Sequence, residues 1–348
     1  MTTSQLTTER LRFERSQFGS VRLRSAQPSP SATLAYNHLR RAVARQALPV
    51  AVIAVLAAAA GVAFHASQGA EALQALQWWI PAALAAGLTV GFAREAVRNT
   101  ITSPASLERN PGHAVIGAAP TLSAQALRLL PPDQRSALDC VVYQPASSFA
   151  GAFRDLQDAM AGNNLVSVIG VAADDGASTA ALCAAVSAQQ QNRKVIVVDC
   201  DLRRRGLTRM LGSRPSAGVL EAADLPEDWR GFVEEETETG LHVLPAAAAI
   251  TPWDSLIGSR GFAAMLDHLC AAYELVILDC PPALASAEGP MIASMADLCV
   301  LVAGWDKTPV PAITRSVRVL HRGGSRVPVS VFVNRAPATY RHRLAAAA

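Results

Sequence analysis

The chain has 348 residues, of which 51% are hydrophobic, 17% charged and 5% aromatic. Its positive mean hydropathy and low charge exclude a mainly disordered chain, and a net charge of +3 is too small to imply nucleic acid. Six cysteines with no CxxC spacing, several inside apolar runs, indicate buried free thiols in a reducing compartment and exclude a disulfide framework or a zinc site.

Residues 1–46 form an arginine-rich arm. Its first 45 residues hold eight Arg, two Glu and no Lys, the composition of a solvated segment or, at most, a membrane-surface contact. Residues 47–93 read as a transmembrane hairpin with spans at about 47–66 and 73–93. The run 47–64 is uncharged, and its 18 residues at about 1.5 Å each reach about 27 Å, enough for a bilayer core. Trp78 and Trp79 stand where an interfacial aromatic belt belongs. Arg40, Arg41 and Arg45 precede the first span, Arg94 and Arg98 follow the second, and the connection between them carries one Glu and no Lys or Arg. This asymmetry places both termini in the cytoplasm, as expected of a multi-pass inner-membrane protein. A buried Ala-rich soluble hairpin is the plainer alternative. Gly87 and Gly91 form a GxxxG that is compatible with self-association.

Residues 94–146 read as a proline-punctuated juxtamembrane linker, with a short strand at 114–120 and a short helix near 122–130. From 147 the pattern changes. Phe149, Phe153, Leu156 and Met160 recur at helical spacing. Short apolar runs at 165–171, 195–199, 241–245, 275–279, 299–303 and 329–334 then alternate with helical segments at 178–190, 259–272 and 309–322. This alternation predicts an α/β domain over 147–337, a mostly parallel sheet with helices on both faces, followed by a tail at 338–348.

The chemistry-bearing residues fall at the ends of these runs. Strand 165–171 leads into VAADDGASTAAL. Gly176, Ser178 and Thr179 stand in register with a phosphate loop, whose amides cradle phosphates and whose hydroxyl meets Mg²⁺. The position of the loop lysine is Ala177. The next strand ends VIVVDCDLRRR, placing Asp199 and Asp201 two apart at a C-terminal sheet edge, and a later one, YELVILDCPP, adds Asp279.

With these residues assembled, the chain resembles the cytoplasmic ATPase domain of bacterial tyrosine kinases of exopolysaccharide and capsule export. These belong to the deviant P-loop group that includes MinD and ParA. VIVVDCDLR matches the family's DxD-Arg element. YELVILDCPP matches its Walker B element, with Glu274 for an Asp, and Glu288, Gly218, Thr308 and Asn334 match lesser motifs. Residues 101–120 resemble the juxtamembrane segment of polysaccharide co-polymerases. The resemblance covers the membrane pair and about 101–337.

The resemblance implies Mg–ATP as cofactor. Gly176, Ala177, Ser178, Thr179 and Asn334 would line the nucleotide, Ser178, Asp201 and Asp279 would manage Mg²⁺, and Asp199 with Asp201 would be catalytic in an active enzyme. The departures argue against activity. A Lys stands at position 177 in active relatives, and this chain has only Lys194 and Lys307. Asp174 adds negative charge to the loop, and Arg203, Arg204 or Arg205 are the nearest cationic stand-ins by sequence. Of the family's ExxRxxR helix motif, the corresponding Gly151, Arg154 and Gln157 retain only the arginine, and no tyrosine-rich tail follows. The connection between the spans is too short for the family's external domain.

The expectation is a membrane-anchored, kinase-like pseudoenzyme, regulating chain length or assembly, whose ATP binding is weak or absent. Its partners would be the polysaccharide polymerisation and export machinery and a protein carrying the missing external domain, with no nucleic acid. An active ATPase or tyrosine kinase using a substitute Arg, and a MinD/ParA-like positioning ATPase, remain as alternatives.

Overall fold

A computed structural model describes residues 100–101, 114–131, 135–247 and 259–338, with scattered positions between 52 and 89. The expected arm, and almost all of the expected membrane spans at 47–66 and 73–93, lie outside the described residues. Among the described residues no helix is long and apolar enough to cross a membrane. Two compact units divide between Glu95 and Ala96, and the second carries every element below.

The domain opens with strand β1 (Ala114–Pro120), the short helix α1 (Ala124–Arg128), α2 (Ala137–Tyr143) and α3 (Ser148–Ala159). Serines 123, 136 and 147 cap these three helices, each accepting a backbone N–H of the first turn. Strand β2 (Leu165–Gly170) leads through the glycine-bearing loop to α4 (Ala177–Gln189) and then β3 (Val195–Asp199). After these come α5 (Gly206–Met210), α6 (Val219–Asp224), β4 (Glu234–Glu235) and β5 (His242–Leu244). The chain closes with α7 (Arg260–Ala272), β6 (Leu275–Cys280), α8 (Glu288–Ala293), β7 (Leu298–Gly304), α9 (Val310–Leu320) and β8 (Val329–Ala336).

The strands form one sheet in the order β1-β8-β7-β2-β6-β3-β5-β4, parallel throughout except for the β4–β5 pair. Strands β2, β3, β6 and β7 are buried along their whole length, as expected when helices cover both faces. Alternate residues feed two cores. Val166, Val168, Val197, Ile277 and Val300 pack with α2, α3 and α4. Ile169, Ile196, Val198, Leu278 and Leu301 pack with α7, α8 and α9. Helix α4 is buried from Ala180 to Ala188, and its small side chains let it lie close to the sheet.

The segment read as a linker contributes more than a spacer. β1 pairs in parallel with β8, Ala114 opposite Ser330, and Ala118 and Ala119 are buried there. The proline count marks where elements break but does not report that AVIGAAP completes the sheet edge. Upstream, Thr100 bridges Pro309, and Ile101 is wholly buried. Its amide donates to the Thr308 carbonyl and its carbonyl accepts from the Asp306 amide.

Candidate phosphate-loop site

Three parallel strands place the acidic residues. Asp199, the last residue of β3, is the register partner of Asp279 on β6, and β6 runs beside β2, whose end begins the loop. Asp199 is fully buried and well partnered. Its carboxylate accepts from the Thr208 amide at 2.9 Å, the Thr208 hydroxyl at 2.7 Å and the Asp201 amide at 3.1 Å. Burial raises its pKa, the Thr208 hydroxyl and the two amides oppose the rise, and the Asp201 charge adds to it. Asp201 accepts from the Arg204 amide at 3.0 Å.

Asp279 is less satisfied. The Ser178 hydroxyl serves its carboxyl, but one oxygen, Oδ2, is buried with no protein partner. Burial first, then the Asp199 charge, push its pKa well up. Ser178, Asp279, Asp199 and Asp201 thus form one cluster at the C-terminal sheet edge, where parallel α/β sheets place ligands.

The loop itself is held from the other side. Gly176 has φ +90°, and a Cβ there would lie 2.2 Å from Asn334 Nδ2, so only glycine fits. That same amide nitrogen donates to the Asp175 carbonyl at 2.9 Å. Asn334 therefore braces the loop, whatever else it contacts. Asp175, wholly buried, accepts from the Ala172 amide at 2.8 Å and the Thr308 hydroxyl at 3.0 Å. It folds the turn rather than facing a ligand. Thr179 sets its hydroxyl 3.9 Å from the Met210 sulfur.

Arg203 pairs with Glu288 at 3.3 Å, and two cations that sequence proximity does not suggest, Lys307 and Arg335, reach the loop. Lys307 Nζ donates to the Asp174 carbonyl at 3.0 Å and lies 3.9 Å from both the Asp174 and Asp175 carboxylates. Arg335 donates to the same carbonyl at 3.1 Å. The extra acid of the loop is therefore countered in space. Sequence reasoning missed these two cations and Thr208. Lys307 directly precedes the motif residue Thr308 and Arg335 directly follows Asn334, and that adjacency was the available signal. Thr208 sits in a short helix that gave none.

No family model matches the chain. EpsB of Ralstonia solanacearum, named as a tyrosine-protein kinase, is 26% identical over 265 residues, 74% of this chain and 35% of its own length. The succinoglycan biosynthesis transport protein ExoP of Rhizobium meliloti is 27% identical over 178 residues, 49% of this chain and 23% of ExoP. The tyrosine-protein kinase YwqD of Bacillus subtilis is 31% identical over 134 residues, 38% of this chain and 56% of YwqD. The chain thus spans about a third or less of the length of EpsB and ExoP. Among solved structures, the BceF tyrosine kinase domain superposes with a TM-score of 0.58 at 23% identity, covering 68% of this chain and 100% of that domain. The kinase domain of Escherichia coli ETK gives 0.58 at 22% identity, covering 66% of this chain and 94% of that domain. The chain is thus similar in sequence to bacterial tyrosine-protein kinases, and its domain shares the fold of their kinase domains.

Proposed function

We propose that this chain is a membrane-anchored, kinase-like component of exopolysaccharide or capsule biosynthesis and export, and that it regulates assembly or chain length through a degenerate ATP site. One observation carries the reading: the carboxyls of Asp199, Asp201 and Asp279 cluster at Ser178, beside a loop whose lysine position is Ala177. The apparatus for positioning remains, while the cation that meets the β/γ-phosphates from within the loop is gone. Phosphoryl transfer relies almost wholly on positioning and charge stabilisation, so it suffers more than binding. The partners would be the membrane-embedded polymerisation and export machinery, with both termini cytoplasmic.

The donor set fits a magnesium ion. Asp279 Oδ2 is an orphaned buried oxygen beside the Ser178 hydroxyl, with Asp201 adjacent. Among the described residues no group of three or more acidic, His or Cys side chains could hold a metal by itself. That suits an ion that keeps several waters and binds through one or two carboxylates together with phosphates. When bound, the ion would offset phosphate charge. The chain's own part would be to orient it through Ser178, Asp201 and Asp279, and to hold Asp199 beside any acceptor hydroxyl.

A second reading is an active ATPase or kinase in which a cation from elsewhere serves the phosphates. The contact of Lys307 with the loop favours Lys307 over Arg203, which pairs with Glu288, for that role. Incubating the full chain with labelled Mg–ATP tests both readings. No autophosphorylation and no saturation at micromolar ATP are expected. Phosphate incorporation that Lys307→Met abolishes would establish the second reading.

A further inference from the structure

Between Leu202 and Leu220 the chain carries five arginines and no acidic residue. The structure gathers three of them around one hollow. Arg205, Arg209 and Arg214 line a concavity of about 510 Å³ together with Thr208 and Ser213. Its floor is tied by the Ser213 amide, which donates to the Thr208 carbonyl at 3.2 Å. Arg205 takes a left-handed backbone conformation, φ 50° and ψ 48°, which non-glycine residues rarely adopt. That turn carries Gly206 against the phosphate loop, where an added Cβ would lie 2.8 Å from Ser178 Oγ.

None of the three guanidinium groups meets a carboxylate among the described residues. Glu234 is occupied at the rim by the Ser213 hydroxyl, from which its carboxylate accepts at 2.5 Å. Like charges held together without partners repel one another, and a multivalent anion relieves that repulsion. A planar guanidinium suits phosphate oxygens in particular, since it donates two parallel N–H bonds. The hollow also shares a wall with the acidic cluster: Thr208, which lines it, is the residue that holds Asp199.

We propose that the hollow of Arg205, Arg209 and Arg214 is an anion subsite that takes a phosphate monoester against Thr208, the residue that holds Asp199. The site stands apart from the phosphate loop and does not require that ATP bind there. Two sources share this chemistry: a phosphorylated side chain presented by a protein, and the phosphate tail of a nucleotide.

The test titrates purified full-length protein with inorganic phosphate, free phosphotyrosine and Mg–ATP, by calorimetry at fixed ionic strength. Arg209 and Arg214 are exposed, so Arg209→Ser with Arg214→Ser should leave the fold intact, which circular dichroism checks. Phosphotyrosine and inorganic phosphate are expected to compete for one site. The double serine variant should weaken both about tenfold or more, while Arg209→Lys with Arg214→Lys should keep only part of the binding. If Mg–ATP leaves phosphotyrosine binding unaltered, the source is a phosphorylated side chain. If Mg–ATP competes, and weakens in the same variant, the source is the nucleotide tail. Absence of phosphate and phosphotyrosine binding at millimolar concentration overturns the proposal. So does binding that is equal in wild type and the double serine variant. Failure of Mg–ATP to bind at the loop would leave the anion site standing.

Discussion

Lys307 and Asp174, 133 residues apart in sequence, meet at the phosphate loop, the ammonium 3.0 Å from the Asp174 carbonyl and 3.9 Å from its carboxylate. The contact gives a physical form to the question of whether the loop still meets phosphate. Asp174 is 83% exposed and Lys307 44%, so solvent screens the pair and its direct worth to stability is small. Its importance is local: the cation is spent on the loop's own acid.

Returning the lysine to position 177 and removing that acid should therefore recover nucleotide binding. A charge-assisted contact contributes about 1.5–3 kcal/mol, so Ala177→Lys with Asp174→Gly is expected to tighten Mg–ATP binding roughly 10- to 150-fold. Calorimetry on the full chain measures this. An unchanged affinity would mean that the loop no longer cradles phosphate at all.

The buried carboxyl of Asp279 makes stability depend on pH in a definite direction. Its pKa in the fold lies above the ordinary value of 3.8, through burial first and the Asp199 charge second. Such a group contributes its full share below the unfolded value and loses it as pH rises through the raised folded value. Wild type should thus lose stability as pH climbs from about 4, and Asp279→Asn should make that slope shallower, Asp199 keeping a share of its own. Urea unfolding at about pH 4 and about pH 8 should show the variant gaining on wild type at the higher pH. A gain that is equal at both would show that folding does not raise the pKa of this carboxyl.

Thr208 supplies both a hydroxyl and an amide to Asp199, and its hydroxyl oxygen accepts from the Ala246 amide at 3.0 Å. Thr208→Val keeps the shape and deletes the hydroxyl. The loss is expected to destabilise by about 1–3 kcal/mol, whereas Thr208→Ser should cost well under half of that. Denaturant midpoints with unchanged slopes would report the difference cleanly.

The expected membrane hairpin has its own test. Cysteine introduced at Ser67 should react with an impermeant maleimide on intact cells, and cysteine at Ser103 should not. The native cysteines among the described residues are buried or half-buried, which keeps the background low. Reaction at both positions, or extraction of the chain without detergent, would rule the hairpin out.

The sheet was readable because its central strands are short apolar runs that end at or beside an Asp or Gly. Val195–Asp199 and Leu275–Cys280 lie within a residue of the expected 195–199 and 275–279. Helices α4 and α7 likewise begin within a residue of their expected starts. The short pieces were not readable. Helices α5 and α8, of 5 and 6 residues, carry too few turns for a period to show and owe their shape to tertiary partners. The role of Asn334 was also hidden, since its contact with Asp175 spans 159 residues and no local pattern encodes it. Spacing could place Asp199, Asp279 and Ser178 together, because register and loop length determine that. It could not foresee Lys307, because a long side chain crossing between loops obeys neither.

The buried Ile101 has a mechanical consequence. Its backbone bonds fasten the incoming chain to residues 306 and 308, and the Thr308 hydroxyl in turn backs Asp175, which shapes the loop. Tension on the chain at residue 101 is thus two hydrogen-bonded links away from the phosphate loop. Drawing Ile101 out would open an apolar hole, loosen the turn that carries Lys307 and leave Asp175 short of a donor. Ile101→Ala should accordingly speed hydrogen exchange at the Ala172 amide as well as near residue 306, although residue 172 lies well away in sequence. Strain arriving from upstream would register at the loop before it disturbed the sheet.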